Sequence, residues 1–170
     1  MAISRLKIDA NALFEKMREE LVHDAFRLVE EAYKTNTFEE QTGNLADSFG
    51  AAVYHDGVLV KDGIQYLEPK ATEPRMWKRG DYRSGHEEMI QYFRNYKPRK
   101  KGFTIVLIAA MPYAPVLEGG SGYGIRHKYK VITGANSLMR ELAAKYERKF
   151  GGRNWSKGKG TRTTINSIGV

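Results

Sequence analysis

The 170-residue chain has no cysteine, which excludes a disulfide framework, a thiolate nucleophile and any thiolate-held zinc or iron–sulfur site. A reducing compartment is compatible with that absence. Long apolar runs are also missing, and no segment approaches the length of a membrane span. The start, MAISRLKIDANALFEKM, has basic residues but no continuous apolar core before a cleavage site, so neither export nor insertion is expected. Acidic residues are lacking after Gly152, where RNWSKGKGTRTTINSIGV carries four basic ones. That stretch has too little apolar content to hold itself folded and predicts a flexible basic C-terminal arm over 151–170. No internal repeat is visible.

What is present centres on 103–125, FTIVLIAAMPYAPVLEGGSGYGI. Phe103 to Ala110 is uncharged and rich in β-branched and large apolar side chains, the pattern of a strand at the centre of a sheet. Pro112 and Pro115 then remove two backbone donors, and the glycines from Gly119 to Gly124 release the chain into a loop. The strand is thus expected to deliver Tyr113, Val116, Leu117 and Glu118 to an edge. Upstream, Phe49–His55 alternates loosely, Asp56-Gly57 reads as a hairpin turn, and Val58–Lys61 returns before Asp62-Gly63. Ile64–Leu67 either extends the sheet or starts a loop. Lys128–Thr133 reads as a further strand.

Two helices flank these strands. From Asp9 to about Thr35, apolar residues including Leu13, Phe14, Met17, Leu21, Leu28 and Val29 recur at three- and four-residue steps. Asp9 is placed to cap this helix, which would run roughly 40 Å, longer than one face of a small sheet needs. The surplus stripe is available to a neighbouring subunit. Thr133 is expected to cap a second helix through Phe150, with Leu138, Leu142, Tyr146 and Phe150 at four-residue steps. Together these elements predict one α+β domain over 1–150, a mostly antiparallel sheet of about four strands with both helices on one face.

Between Pro69 and Lys101 the composition shifts to ten basic residues against four acidic ones. This reads as a basic insertion, a loop followed by a short helix that Ser84 and Glu87 begin and Pro98 ends. The formal charge of +8 fits a polyanion, since Lys and Arg clusters release counterions along phosphate backbones, or equally an acidic protein neighbour. The residues placed for polyanion contact are Arg75, Lys78, Arg79, Arg83, Lys100, Lys101, Arg153, Lys157 and Lys159. No reaction centre is expected. His86-Glu87-Glu88 with His127 and Glu118 lacks the three- or four-residue ligand spacing of a helical metal site. Ser48 with His55 or His23 lacks a nucleophile elbow, and the glycines of EGGSGYGI have no phosphate-loop lysine behind them. No cofactor is expected.

Thr42-Gly43-Asn44-Leu45-Ala46-Asp47-Ser48 followed by a strand, and a later strand followed by P-Y-A-x-x-x-E-x-G, resemble the tail-completion proteins of long-tailed bacteriophages, also called head–tail joining or neck proteins. The motifs cover about a tenth of the chain, while the order of helix, motif, strands, motif and helix is shared over most of it. Two departures stand out, the long basic 69–101 region and the glycine- and lysine-rich tail. The resemblance implies a non-enzymatic virion part that assembles in the bacterial cytoplasm as a ring, commonly of six subunits, between head connector and tail tube or tail terminator. It implies interface roles for Thr42, Gly43, Leu45, Ser48, Tyr113, Ala114, Val116, Leu117, Glu118 and Gly119, with the insertion and tail either reaching to adjacent proteins or making non-specific DNA contact along a channel. The alternative is a small basic nucleic-acid-binding accessory protein.

Overall fold

The computed structural model describes residues 2–38, 43–71, 75–78, 81–98, 101–119, 129–150, 155–159 and 164–169. Helix α1 (Ala2–Thr35) has 34 residues without a glycine or proline. It begins seven residues before Asp9, because nothing in the preceding stretch opposes a helix and Ile3 and Leu6 continue the apolar spacing. Its buried stripe is Leu21, Ala25, Leu28, Val29 and Ala32, the 3.6-residue period expected of a helix lying on a sheet. The Asn36 amide donates to the Tyr33 carbonyl at 2.7 Å and closes its end.

The sheet is built on β1 (Phe49–His55), β2 (Val58–Gln65) and β5 (Phe103–Ala109), all antiparallel. Every residue of β5 is buried, and alternate residues serve opposite faces. Phe49, Ala51, Val53, Ile105, Leu107 and Ala109 join the core under α1 and α5 (Asn136–Phe150). Ala52, Tyr54, Val106 and Ile108 join a second core with Met89 and Phe93 of α3 (Gly85–Asn95). The two long helices thus share one face, as expected. The supposed insertion, however, supplies the cover of the other face, and its α3 approaches so closely that a Cβ on Gly50 would lie 2.5 Å from the Met89 sulfur.

Asp56 and Gly57 both have positive φ (50° and 79°), as a two-residue turn compatible with strand twist requires. β2 then runs through the second Asp-Gly rather than stopping there. Its register shifts between the partners of Ala52 and Tyr54, with Asp62 at φ 54°, so the residues 60–63 form a bulge.

Two expectations fail at the C-terminal side. Described residues 129–132 form no strand. Val131 and Ile132 are adjacent yet both buried, and the Tyr129 amide donates to the Leu117 carbonyl at 3.0 Å instead of to a ladder. The place beside β5 is occupied by β7 (Thr164–Gly169), which pairs with β6 (Trp155–Lys159), giving the order β2-β1-β5-β7-β6. Residues 155–159 and 164–169 are therefore strands, not an arm. A fully buried β5 leaves a row of backbone donors and acceptors that must be paired, and backbone pairing needs no apolar run in the partner. Where about four strands are expected, β1, β2 and β5 make three and the C-terminal hairpin adds two. Separately, β3 (Arg75–Lys78) and β4 (Asp81–Arg83) form a two-stranded ribbon in what reads as loop.

Candidate assembly interface

The two motif segments meet at one end of the sheet. Gly43 takes φ 76° and opens the short turn α2 (Asn44–Asp47), a conformation that costs a residue with a Cβ about 1–2 kcal/mol. Ser48 follows, fully buried. Its hydroxyl donates to the Leu45 carbonyl at 2.6 Å and accepts from the Met111 amide at 3.4 Å. Its carbonyl accepts from the Ala110 amide at 3.1 Å. Ser48 thus ties the α2 turn to the point where β5 ends and the proline-rich segment begins. Its hydroxyl is committed to backbone partners and lies a whole strand away from His55, about 20 Å at strand rise, so no hydrolase pair exists there.

Beyond β5 the chain forms α4 (Ala114–Gly119) rather than an open edge. Leu45 and Ala114 belong to the chain's own core, at 3% and 0% exposure, and Tyr113 and Leu117 are half-buried against it. That corrects the expectation that Leu45 and Ala114 face a neighbour. Val116, Glu118 and Gly119 are also half-buried. Glu118 serves inside the fold: one carboxylate oxygen accepts from the Ile132 and Thr133 amides at 3.2 and 2.7 Å, satisfying donors at the start of the 3-10 turn (Thr133–Ala135) that leads into α5. Thr133, the expected cap, is itself capped. The other Glu118 oxygen is buried without a partner among the described residues. Thr42 lies outside those residues.

Among the described residues a further apolar feature lies at the opposite end, where α1 overruns the sheet. At 1.5 Å per residue α1 is about 51 Å long, whereas seven-residue β5 spans about 23 Å. The first fully buried residue of α1 is Leu21 among those with described side chains. A notch there is lined by Ala10, Leu13, Phe14, Met17, His55, Gly102 and Phe103. Phe14 lies tilted against Phe103 and meets His55 edge-on at centroid distances of 5.2 and 4.9 Å, while Leu13 is 57% exposed.

A charged cluster joins α1 to α5. Asp24, 2% exposed, accepts from Lys145 Nζ at 2.7 Å, the Tyr146 hydroxyl at 2.6 Å and Arg27 at 3.0 Å. Glu20 pairs with Lys145 and Lys149. Burial pushes the Asp24 carboxyl up, but hydrogen bonds from Lys145, Tyr146 and Arg27 outweigh it and leave it below the usual range. Hydrogen bonds from Lys145 and Lys149 lower Glu20. Burial works against charge on Lys145, yet its hydrogen bonds to Asp24 and Glu20 raise it overall. Burial, then the bond to Asp24, raises Tyr146. Asp24 has a sequence signature, an acid three residues after Leu21 and four before Leu28, on the buried face.

The residues placed for polyanion contact are dispersed. Arg75, Lys78 and Arg83 fall on the β3–β4 ribbon, and Lys157 and Lys159 on β6. Lys101 is exposed just before β5. Arg79, Lys100 and Arg153 lie outside the described residues, as does His127. His86 packs edge-on against Tyr66 at 4.6 Å while Glu118 caps the 3-10 turn, and among the described residues no three His, Cys, Asp or Glu side chains are grouped to hold a metal. Two residues escape a motif reading, Asn44 and Asp47. Asp47 accepts from the Lys70 amide at 2.9 Å and from the Ala71 amide, and Asn44 Oδ1 accepts from the Gly85 amide at 3.0 Å. Short polar side chains in a turn commonly take backbone donors in this way. Compared with known proteins, the chain matches no family model, no curated protein and no solved structure.

Proposed function

We propose that this chain is a non-enzymatic structural component of a phage or prophage particle, a tail-completion protein that assembles as a ring, commonly of six subunits, between head connector and tail tube. The observation that carries the reading is the Ser48 junction. The two stretches that resemble the family are separated by more than sixty residues of sequence, and Ser48 hydrogen-bonds one to the backbone of the other at Ala110 and Met111. Such an arrangement is what a shared structural motif requires of them.

Association is the chemistry this reading needs, and the α1 overhang suits it. A helix that outruns its own sheet while exposing Leu13 beside the Phe14–Phe103 notch has apolar surface that a second subunit can bury. Val116, half-buried on α4, remains as the motif residue best placed for a second contact, since Leu45 and Ala114 are committed to the core. A head-to-tail contact between unlike surfaces closes into a ring when its rotation allows.

Negative-stain microscopy and native mass spectrometry of the purified chain, alone and mixed with the connector and tail proteins encoded beside it, test the proposal. Rings of one copy number, or incorporation into the particle, are the expected outcome. A chain that stays monomeric under both conditions and is missing from particles counts decisively against it.

A further inference from the structure

Charge is segregated along the chain: the first 69 residues hold thirteen acidic and seven basic residues, the remaining 101 hold seven acidic and twenty-one basic. Part of the basic excess is matched inside the fold, where Lys145 and Lys149 of α5 meet Glu20 and Asp24 of α1. The β3–β4 ribbon has a different balance. Its register sets Arg75 opposite Arg83 and Lys78 opposite Asp81, with Trp77 and Tyr82 in the same two strands. Like charges at paired positions disfavour a ribbon, and a two-stranded ribbon is marginal by itself.

Both roots of this ribbon are nevertheless tied to a single turn of the body. On the entering side Asp47 takes the Lys70 and Ala71 amides. On the leaving side Asn44 takes the Gly85 amide, one residue after Ser84, whose hydroxyl caps α3. The fit at Gly85 is tight, since a Cβ there would lie 1.8 Å from the Asn44 carbonyl oxygen. Asn44 and Asp47 stand three residues apart on α2, so one turn clamps both ends of the basic excursion.

We propose that the β3–β4 ribbon is a contact for the phosphate backbone of duplex DNA, with Arg75, Lys78 and Arg83 as its cations and Asn44 and Asp47 as positioning residues that hold its roots. Cations concentrated on a narrow ribbon gain by displacing condensed counterions, and a two-stranded ribbon is narrow enough to enter a major groove. The inference stands apart from ring assembly and does not need it.

The test is fluorescence anisotropy of the full chain with a labelled mixed-sequence duplex over a salt series. Log affinity falls linearly with log salt, and R75A/R83A makes the slope shallower by about 1.8, at about 0.9 per lost phosphate contact. Binding weakens alike on unrelated sequences. Lys78→Glu, a single change outside the ribbon's base, weakens binding further than Lys78→Ala. Asp47→Ala removes a negative charge, which by itself favours DNA; a fall in affinity with the salt slope kept shows the root clamp at work, and a rise removes Asp47 from that role. An unchanged slope in R75A/R83A, or polyglutamate competing as strongly as the duplex, overturns the phosphate assignment. Sedimentation of the same variants reads ring formation separately, so a failure of the ribbon is distinguishable from a failure of the assembly reading.

Discussion

Asp24 and Gly85 show how much one atom or one charge decides in this chain. Asp24 is an acid on the apolar face of α1, tolerated because three donors from two helices converge on it. Asp24→Ala removes the acceptor on which Lys145, Arg27 and the Tyr146 hydroxyl converge, leaving Lys145 with Glu20 alone of its two carboxylates, and stability is expected to fall by roughly 3 kcal/mol, a Tm lower by about 10 °C. Its pH dependence follows from the directions of the shifts. Asp24 and Glu20 ionise below their ordinary values, so their contribution is complete above about pH 4 and is lost as pH falls through the depressed values. Lys145 and Tyr146 are raised, so theirs persists until pH climbs past about 10. In paired melting curves the gap between wild type and Asp24→Ala should be widest at neutral pH and close toward acid; a constant gap would detach Asp24 from ionisation. Gly85→Ala introduces a methyl carbon where backbone already stands. An expected loss of about 2 kcal/mol from overpacking is read by the same melting experiment, and an unaltered Tm would mean that the root of α3 yields easily.

At the scale of elements, the C-terminal hairpin and β2 treat sheet edges in opposite ways. β7 lies along β5 from Thr104 to Ala109, so cutting the chain after Gly152 uncovers the backbone of the most apolar of the described strands. The truncated protein is expected to lose about 10 °C or more in Tm and to aggregate through the exposed ladder. Light scattering and calorimetry check this, and a soluble truncation with native Tm would show that the hairpin contributes nothing to the sheet. β2 needs no such cover. Its bulge breaks the edge, exposed Lys61 and Asp62 stand on it, and Arg18 donates to the Lys61 carbonyl at 3.0 Å. These are the features by which edge strands avoid pairing with other chains.

For the whole molecule, the distribution of apolar and charged surface matters more than any single site. The exposed Leu13 and the notch lie where α1 passes beyond the sheet, while Ser48, α2 and α4 gather at the other end. Leu13→Asp removes apolar surface that the monomer leaves in water, so stability should change by no more than about 0.5 kcal/mol while ring formation is lost to a charge buried at the contact. Val116→Asp is the matching test on α4. Leu117→Asp differs from both, since Leu117 packs on the chain's own core and the change is expected to unfold the protein. Sedimentation and melting curves on the three variants separate these outcomes. Intact rings in both Leu13→Asp and Val116→Asp would move the interface elsewhere.

The local pattern of residues by itself determined the elements whose signals are short-range. The period of α1 and α5, the apolar run of β5, the Asp56-Gly57 turn and the Ser84 cap are written in near neighbours, and each element formed over those signals, although α1 starts seven residues before Asp9 and α5 starts after a 3-10 turn at Thr133. Tertiary structure decided what depends on partners distant in sequence. Residues 164–169 became strand because β5 offers a row of unpaired backbone groups, and residues 129–132 did not because that place was taken. Asn44 and Asp47 became clamps because the amides of Ala71 and Gly85 arrive beside them, and Glu118 became a cap because Ile132 and Thr133 do. Leu45 and Leu117 turned inward for a similar reason: whether an apolar residue on a turn is core or surface depends on which other segments cover it. Periodicity reports the face of an element, and only packing reports what lies against it.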